Sequence, residues 1–375
     1  MRKVRLSYQL APDRSPEPHI HNDLLALLYA VRTQGSISAA ARQIGMSYRH
    51  VWGLLKDWET TLGQPLILWE RGQAALLTPF ADKLLWTERL AQARLAPQIE
   101  ALRAELERTL SLAFEPNAHV LSLFASHDDA LPRLQSHAAG HGVHLNIQFG
   151  GSVSALQALN RGECALAGFH VREHPAAGSL TARTYKPLLK TGEHKLLGFA
   201  ARQQGLMVAA GNPRQIDGLK RLAQWRMRYV NRSPGTGTRV LLDELLQEQG
   251  LEPTQLLGYD RCEPSHSAVA LAVASGQADA GLGTQSAAAA HGLGFVPLVQ
   301  EHYYLVCRKQ VLEQTSVQAL QAILHSSAWL SLLNQVQGYA PHHSGQVLSL
   351  RHVLPWWQLK PKKPEGHVQS PEQQA

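Results

Sequence analysis

The sequence predicts an α+β winged helix-turn-helix head followed by an α/β domain of two lobes. Three observations lead there. Between 36 and 62 two helix patterns are separated by a glycine turn. Two short apolar runs then flank Arg71-Gly72. From 118 onward strands alternate with helices through turns rich in Ser, Thr and Gly.

The head is built in order. Residues 4–10 alternate apolar and polar side chains, the period of a short strand. A Pro-rich stretch over 11–18 separates it from a helix over 23–33 capped by Asn22. The next helix spans 38–44, where Ala39, Ala40 and Ala41 allow close approach and Gly45 supplies the left-handed turn that ends it. Ser47 caps a further helix whose Val51, Leu55, Trp58 and Leu62 share one apolar face. Its opposite face carries Tyr48, Arg49, Trp52, Gly53 and Lys56, and the N-terminal residues of such a helix are the ones that enter a DNA major groove. A helical hairpin packed in an ordinary core is the competing reading; helical pairs of this length are common, but this order of signals is not.

Residues 66–77 read as two strands joined at Arg71-Gly72, a wing whose tip places Arg71 and Gln73 near phosphate or the minor groove, while Arg42 and Arg71 hold phosphates. Thr78-Pro79 starts a helix that reaches 112 and is expected to kink at Pro97. Along it Leu95, Ile99, Leu102, Leu106 and Leu110 recur at spacings of three and four. That stripe predicts a homodimer seam in the linker helix, since a protein reading two half-sites of double-stranded DNA needs a two-fold partner; packing on its own domain is the alternative. The expected division is a head over 1–85, a linker helix over 86–117, a two-lobed ligand-binding domain over 118–358 and a mobile polar tail over 359–375.

Composition agrees with a folded chain. Hydrophobic residues make 44% and charged residues 17%, and the formal net charge of +7 suits a polyanionic partner without identifying one. No apolar run has the length of a signal peptide or a membrane helix, so a cytoplasmic protein with no membrane partner is expected. Three unpaired cysteines, Cys164, Cys262 and Cys307, argue against a disulfide framework or zinc ribbon and read as buried or incidental thiols.

In the second domain, strands are expected over 119–124, 144–149, 164–169, 206–209, 227–231 and 278–282, with helices such as 153–160, 239–249 and 267–274 between them. The strand-to-helix turns share one chemistry. They are Ser126-His127-Asp128, Gly150-Gly151-Ser152, the run Arg232-Ser233-Pro234-Gly235-Thr236-Gly237-Thr238-Arg239, and Ser265-His266. In an open α/β sheet such turns lie at the carboxyl ends of the strands, where ligands bind; unpaired N–H groups and helix N-termini there favour an anion, with Arg232 and Arg239 adding charge-assisted hydrogen bonds. Each turn alone is also what structural capping looks like. The glycine loop at 235–239 is neither a Walker motif nor a dinucleotide fingerprint, because no Lys-Ser or Lys-Thr follows and Val240 stands where a third glycine belongs. His127, His170 and His266 could face one cleft and, with Asp128, bind a metal or a pterin-like heterocycle. Surface or capping roles compete for at least one of them and for His342-His343, and no spaced histidine pair supports a metal site.

Two resemblances rest on these residues. Residues 22–112 resemble the head of ModE-type molybdate-responsive regulators, itself close to the LysR-type winged helix, through Gly35-Ser36-Ile37-Ser38-Ala39-Ala40-Ala41, Ser47-Tyr48-Arg49-His50-Val51-Trp52 and Leu77-Thr78-Pro79. Residues 118 to about 355 resemble a periplasmic-binding-protein-like domain described as molybdate-binding-like, through Ser126-His127-Asp128, Gly150-Gly151-Ser152, Ala167-Gly168-Phe169-His170, Gly211-Asn212-Pro213, the run from Asn231 to Asp243, and 278–283. The resemblance implies a one-component transcriptional regulator, not an enzyme and without a cofactor. Its cleft would sense molybdate, tungstate or a larger anion such as a molybdenum-cofactor precursor. Two rivals remain: an enzyme with His127 and Asp128 as acid–base pair, and a module that stores or delivers molybdenum species without regulating genes.

Overall fold

The computed structural model describes residues 22–68, 74–114 and 119–357. The chain divides into two compact units, Met1–Ile99 and Glu100–Ala375.

In the first unit α1 (Asp23–Gln34), α2 (Ile37–Gln43) and α3 (Tyr48–Leu62) are followed by strands β1 (Ile67–Leu68) and β2 (Leu76–Leu77) and by α4 (Pro79–Phe114), which runs on into the second unit. The caps are the ones the sequence predicts: Asn22 accepts from Leu25 N, Ser47 from His50 N, and Thr78 Oγ1 from Ala81 N. Gly45 has φ +70°, which lets the chain reverse between α2 and α3. Leu27, Leu28, Val31, Ala40, Val51, Leu55 and Leu66 form the core of this unit. β1 and β2 pair antiparallel with Ile67 opposite Leu77, the base of the wing; its tip, with Arg71 and Gln73, lies outside the described residues, as do the strand expected over 4–10 and the tail over 359–375. Helix α4 continues through Pro97.

The second unit holds β3 (His119–Ala125), α5 (Ala130–Ala139), β4 (Val143–Phe149), α6 (Ser152–Arg161), β5 (Leu166–Arg172), α7 (Leu180–Tyr185), β6 (His194–Val208), α8 (Leu219–Gln224), β7 (Tyr229–Arg232), α9 (Gly237–Glu248), β8 (Cys262–Glu263), α10 (His266–Ala274), β9 (Ala280–Thr284), α11 (Gln285–Ala290), β10 (Gly294–Arg308), α12 (Thr315–His325), α13 (Ser327–Asn334), β11 (Tyr339–Pro341), β12 (Val347–Ser349) and α14 (Leu350–Val353). Its strands run in the order β4-β3-β5-β10-β6-β9-β7-β8, with β11 and β12 also on β6.

Two long antiparallel strands join the lobes. β6 and β10 pair from Gly294 opposite Val208 to Arg308 opposite His194, with register shifts between Pro297 and Val299 and between Tyr303 and Tyr304. β5 takes the Glu301–Cys307 part of β10, and β9 takes the Gln204–Val208 part of β6. Each lobe therefore has its own partly parallel sheet, and each sheet is covered on both faces. Leu131, Leu134 and Trp329 cover one face of the first lobe, and Leu156, Leu159 and Trp356 the other. In the second lobe Leu242 and Leu246 cover one face and Val269 and Ala272 the other. Sheets buried on both faces read as continuous apolar runs, not alternating ones. The strand expected over 206–209 is accordingly only the end of the fifteen-residue β6, and β10, β11 and β12 carry no clear signal.

Candidate functional site

On the head, α3 buries Val51 and Leu55 and leaves Tyr48, Arg49 and Trp52 exposed, Tyr48 at 50% and Trp52 at 42%. Lys56 reaches Glu59 at 2.8 Å, with its ammonium 5.8 Å from the Trp52 ring centre. Arg42 is exposed at the end of α2, and Ser47 is occupied as a cap.

The second site lies between the lobes of the second unit. β3 delivers Ser126, His127 and Asp128, β4 delivers Gly150, Gly151 and Ser152, and β5 carries His170. From the other lobe β7 ends in Arg232, the loop through Gly235, at φ +80°, opens α9, and Ser265 caps α10 beside His266. The lobes meet here. Val153 N donates to the Gly235 carbonyl at 3.4 Å, and Asp129 accepts from Thr284 at 3.3 Å and from Ser286. A Cβ added to Gly237 would lie 3.3 Å from Ser152 Oγ, 3.5 Å from Tyr185 OH and 3.6 Å from His170 Cβ.

Several buried polar atoms around this point have no hydrogen-bond partner: Ser152 Oγ, both ring nitrogens of His170, Tyr185 OH, Gln204 Oε1, Arg232 Nε, His266 Nδ1 and Tyr303 OH. Folded proteins rarely leave buried polar groups unsatisfied, so this cluster sets these groups apart from the rest of the interior.

Charge is distributed unevenly. Arg202 is fully committed: it pairs with Asp128 and, at 2.9 Å, with Glu301, and Tyr339 OH donates to Asp128 at 2.8 Å. Burial alone would raise the Asp128 carboxyl, but His170 and Arg202 hold it well below the carboxylate range. Arg232 is different. It is 2% exposed, its Nη1 donates to the Glu263 carbonyl at 3.1 Å, and it has no ion pair among the described residues. Burial and then the charge of Arg202 push its pKa down to about 9. A guanidinium gives up its proton only under extreme conditions, so Arg232 is a buried cation, offset in part by the charge of Asp129 but in no ion pair among the described residues. His266 and His170 are both pushed down by burial first, His266 then by Arg232 and His170 by Arg202, while Asp128, 3.9 Å from His170 Nε2, acts the other way on both.

Two expected roles are corrected. Asp128 is not an acid–base or ligand group facing the cleft; it is a fully buried anion held by Arg202, Tyr339 and the Ala130 amide. Arg239 is engaged elsewhere: its guanidinium lies 3.9 Å from the Tyr259 ring centre and bonds Asp243 and the Tyr259 hydroxyl, whereas Arg232 is the arginine of this loop buried between the lobes. Several hydroxyls are partly used locally. Thr236 and Ser265 cap α9 and α10, Thr238 accepts from Gln204, and Ser233 lies 3.5 Å from the Glu263 carbonyl; Ser126 is buried. His342 stacks on His302 at 3.6 Å between ring centres rather than capping, while His343 is exposed. Among the described residues no group of three or more His, Cys, Asp or Glu is placed to hold a metal ion. Arg202, Tyr185, Glu301, Tyr303 and Tyr339 escape a reading of the sequence, because they come from strands and a short helix that no turn motif announces, and Gln204 enters it only within the motif Gln204-Gly205-Leu206.

Comparison with known proteins follows this division of the chain. Residues 134–325, just over half of it, match the PBP superfamily domain. The chain belongs to the PBP superfamily. Residues 22–82 match the bacterial regulatory helix-turn-helix protein, lysR family, so this member carries a LysR-type winged helix ahead of its two-lobed PBP-like domain. YvgK of Bacillus subtilis, an uncharacterized protein, is 34% identical over 201 residues, covering 54% of this chain and 64% of YvgK. An uncharacterized protein from the 5′ region of a Clostridium pasteurianum 2Fe-2S ferredoxin gene is 32% identical over 111 residues, 29% of this chain and 98% of that protein. The molybdenum-pterin-binding protein MopB of Rhodobacter capsulatus is 33% identical over 92 residues, 24% of this PBP-superfamily chain and 33% of MopB. The chain thus spans less than two thirds of two of these three relatives.

Proposed function

We propose that this protein is a one-component, LysR-type transcriptional regulator acting in the cytoplasm. It binds double-stranded DNA through α3 and the wing and is controlled by a small oxyanion, molybdate or tungstate or a molybdenum-cofactor-related anion, held between its lobes. The observation that carries the reading is Arg232, a buried cation in no ion pair among the described residues, set near buried atoms of Ser152, His170, Tyr185, Gln204, His266 and Tyr303 that make no hydrogen bond among the described residues. A tetrahedral dianion supplies both the missing charge and hydrogen-bond acceptors for the N-termini of α6 and α9. The name of MopB supports a molybdenum species. Ser47, Tyr48, Arg49, Trp52, Lys56, Arg42 and Arg71 are the proposed DNA contacts. The dimer is proposed to form along α4, where Leu95, Leu102 and Leu106 are 41%, 52% and 38% exposed.

The test is calorimetric titration of the full chain with molybdate, tungstate, sulfate and phosphate, followed by gel shifts at fixed salt on fragments upstream of its own gene. Tight binding of molybdate or tungstate with a change in DNA affinity is expected. DNA binding indifferent to every oxyanion would overturn the effector assignment.

A further inference from the structure

His127 has two faces. Its ring packs against Phe149 at 5.2 Å between centres, and Nε2 donates to Glu100 Oε2 at 3.2 Å. Nδ1 is buried without a partner. The two side chains are 10% and 15% exposed, so the pair is largely withdrawn from water. Glu100 belongs to α4, the helix whose first residues lie in the head. On the other side, Asp129 and Arg232 are the charged cleft groups that act on the imidazole, and His266 also feels it. Burial and Arg232 disfavour the imidazolium, but Glu100 and Asp129 outweigh them and raise its pKa. An imidazolium has two N–H donors; here one is spent on α4 and the other, on Nδ1, is buried with no hydrogen-bond partner among the described residues.

We propose that His127 is the positioning residue through which an anion in the cleft acts on α4: the anion accepts the second ring N–H, fixes the imidazolium, and thereby tightens its hold on Glu100. This rests on the cleft being the oxyanion site proposed above. Without an anion the ring has one anchor and turns more freely; with one it has two, and the Glu100 end of α4 is ordered by occupancy of the cleft. Glu100 acts on the anion through His127, so its replacement tests the relay itself.

The experiment uses the full chain with sodium tungstate as probe, read by calorimetry and by amide hydrogen exchange of peptides covering residues 90–110. In the wild type tungstate is expected to slow exchange there by about fivefold or more. Glu100→Gln should bind tungstate about fivefold more weakly, as reciprocal coupling requires, and at saturating tungstate should lose that slowing. Adding His127→Gln to Glu100→Gln should remove nothing further from the exchange response, and in the wild type the response should fade as pH rises through the imidazole titration. Glu100→Gln retaining the full slowing overturns the relay alone. A wild type that binds no oxyanion overturns the cleft assignment and the relay with it.

Discussion

Gly151 of one lobe lies so close to Gly235 of the other that a Cβ on Gly151 would collide with the Gly235 carbonyl oxygen and stand 2.7 Å from its carbon. Gly151 has φ −70°, which any residue adopts, so glycine is required by the approach of the lobes, not by backbone conformation. Gly151→Ala should hold the lobes apart. Overpacking against backbone costs about 1–3 kcal/mol, and that cost falls on any form in which the lobes touch as they do here. Oxyanion affinity should drop about tenfold or more while thermal stability of the ligand-free protein changes little, measured by calorimetry and small-angle scattering.

Arg232 supplies the second prediction. Removing an uncompensated buried charge relieves a cost, so Arg232→Met should leave the ligand-free melting temperature unchanged or raised. The same change should abolish the stabilisation by saturating oxyanion, which for a ligand at about 100 times Kd amounts to about 2.7 kcal/mol. A variant still stabilised by molybdate or tungstate would remove Arg232 from the site.

The stacked pair His302–His342 predicts acid sensitivity. Tyr304 OH lies 3.4 Å from His302 Nδ1 and 3.3 Å from His342 Nε2, and burial followed by the neighbouring His302 and His343 pushes the His342 pKa down to about 4. His302 is lowered as well, chiefly by burial. A histidine whose folded pKa lies below its unfolded value is protonated first in the unfolded chain. Above about pH 6.5 it contributes nothing, and stability then falls as pH drops toward 4. Discounted for partial exposure, the loss from His342 is about 1–2 kcal/mol. Urea titrations between pH 7 and 4 should show this slope, and His342→Gln should flatten it.

Arg49 tests the proposed contact of the head with DNA. If its guanidinium makes a bidentate contact to a guanine edge, Arg49→Ala costs about 1–3 kcal/mol at one base position and relaxes specificity there. A uniform loss across all sequences, with a shallower salt dependence, reassigns it to phosphate.

The sequence is most informative where structure is local. Asn22, Ser47 and Thr78 cap helices within three residues, Gly45 turns the chain in place, and the cleft loops sit at strand ends that their own Ser, Thr and Gly announce. These features depend on neighbours a few residues away, so a linear reading finds them. The charge balance of the cleft depends on pairs far apart in the chain. Arg202 meets Glu301 across 99 positions, and Asp128 meets Tyr339 across 211. β6 is buried along nearly its whole length, so it lacks the alternation that would mark it. Arg232 and Arg239 flank one loop, and nothing in their order along the chain tells which of them faces an anion. Only packing shows that Tyr259 and Asp243 take Arg239, leaving Arg232 alone in the interior. The order of residues thus set the helices, the caps and the places where an anion could approach. Which buried charge lacks a partner was decided by the folding of distant strands onto one another, because electrostatic compensation acts through space and leaves no periodic trace along the chain.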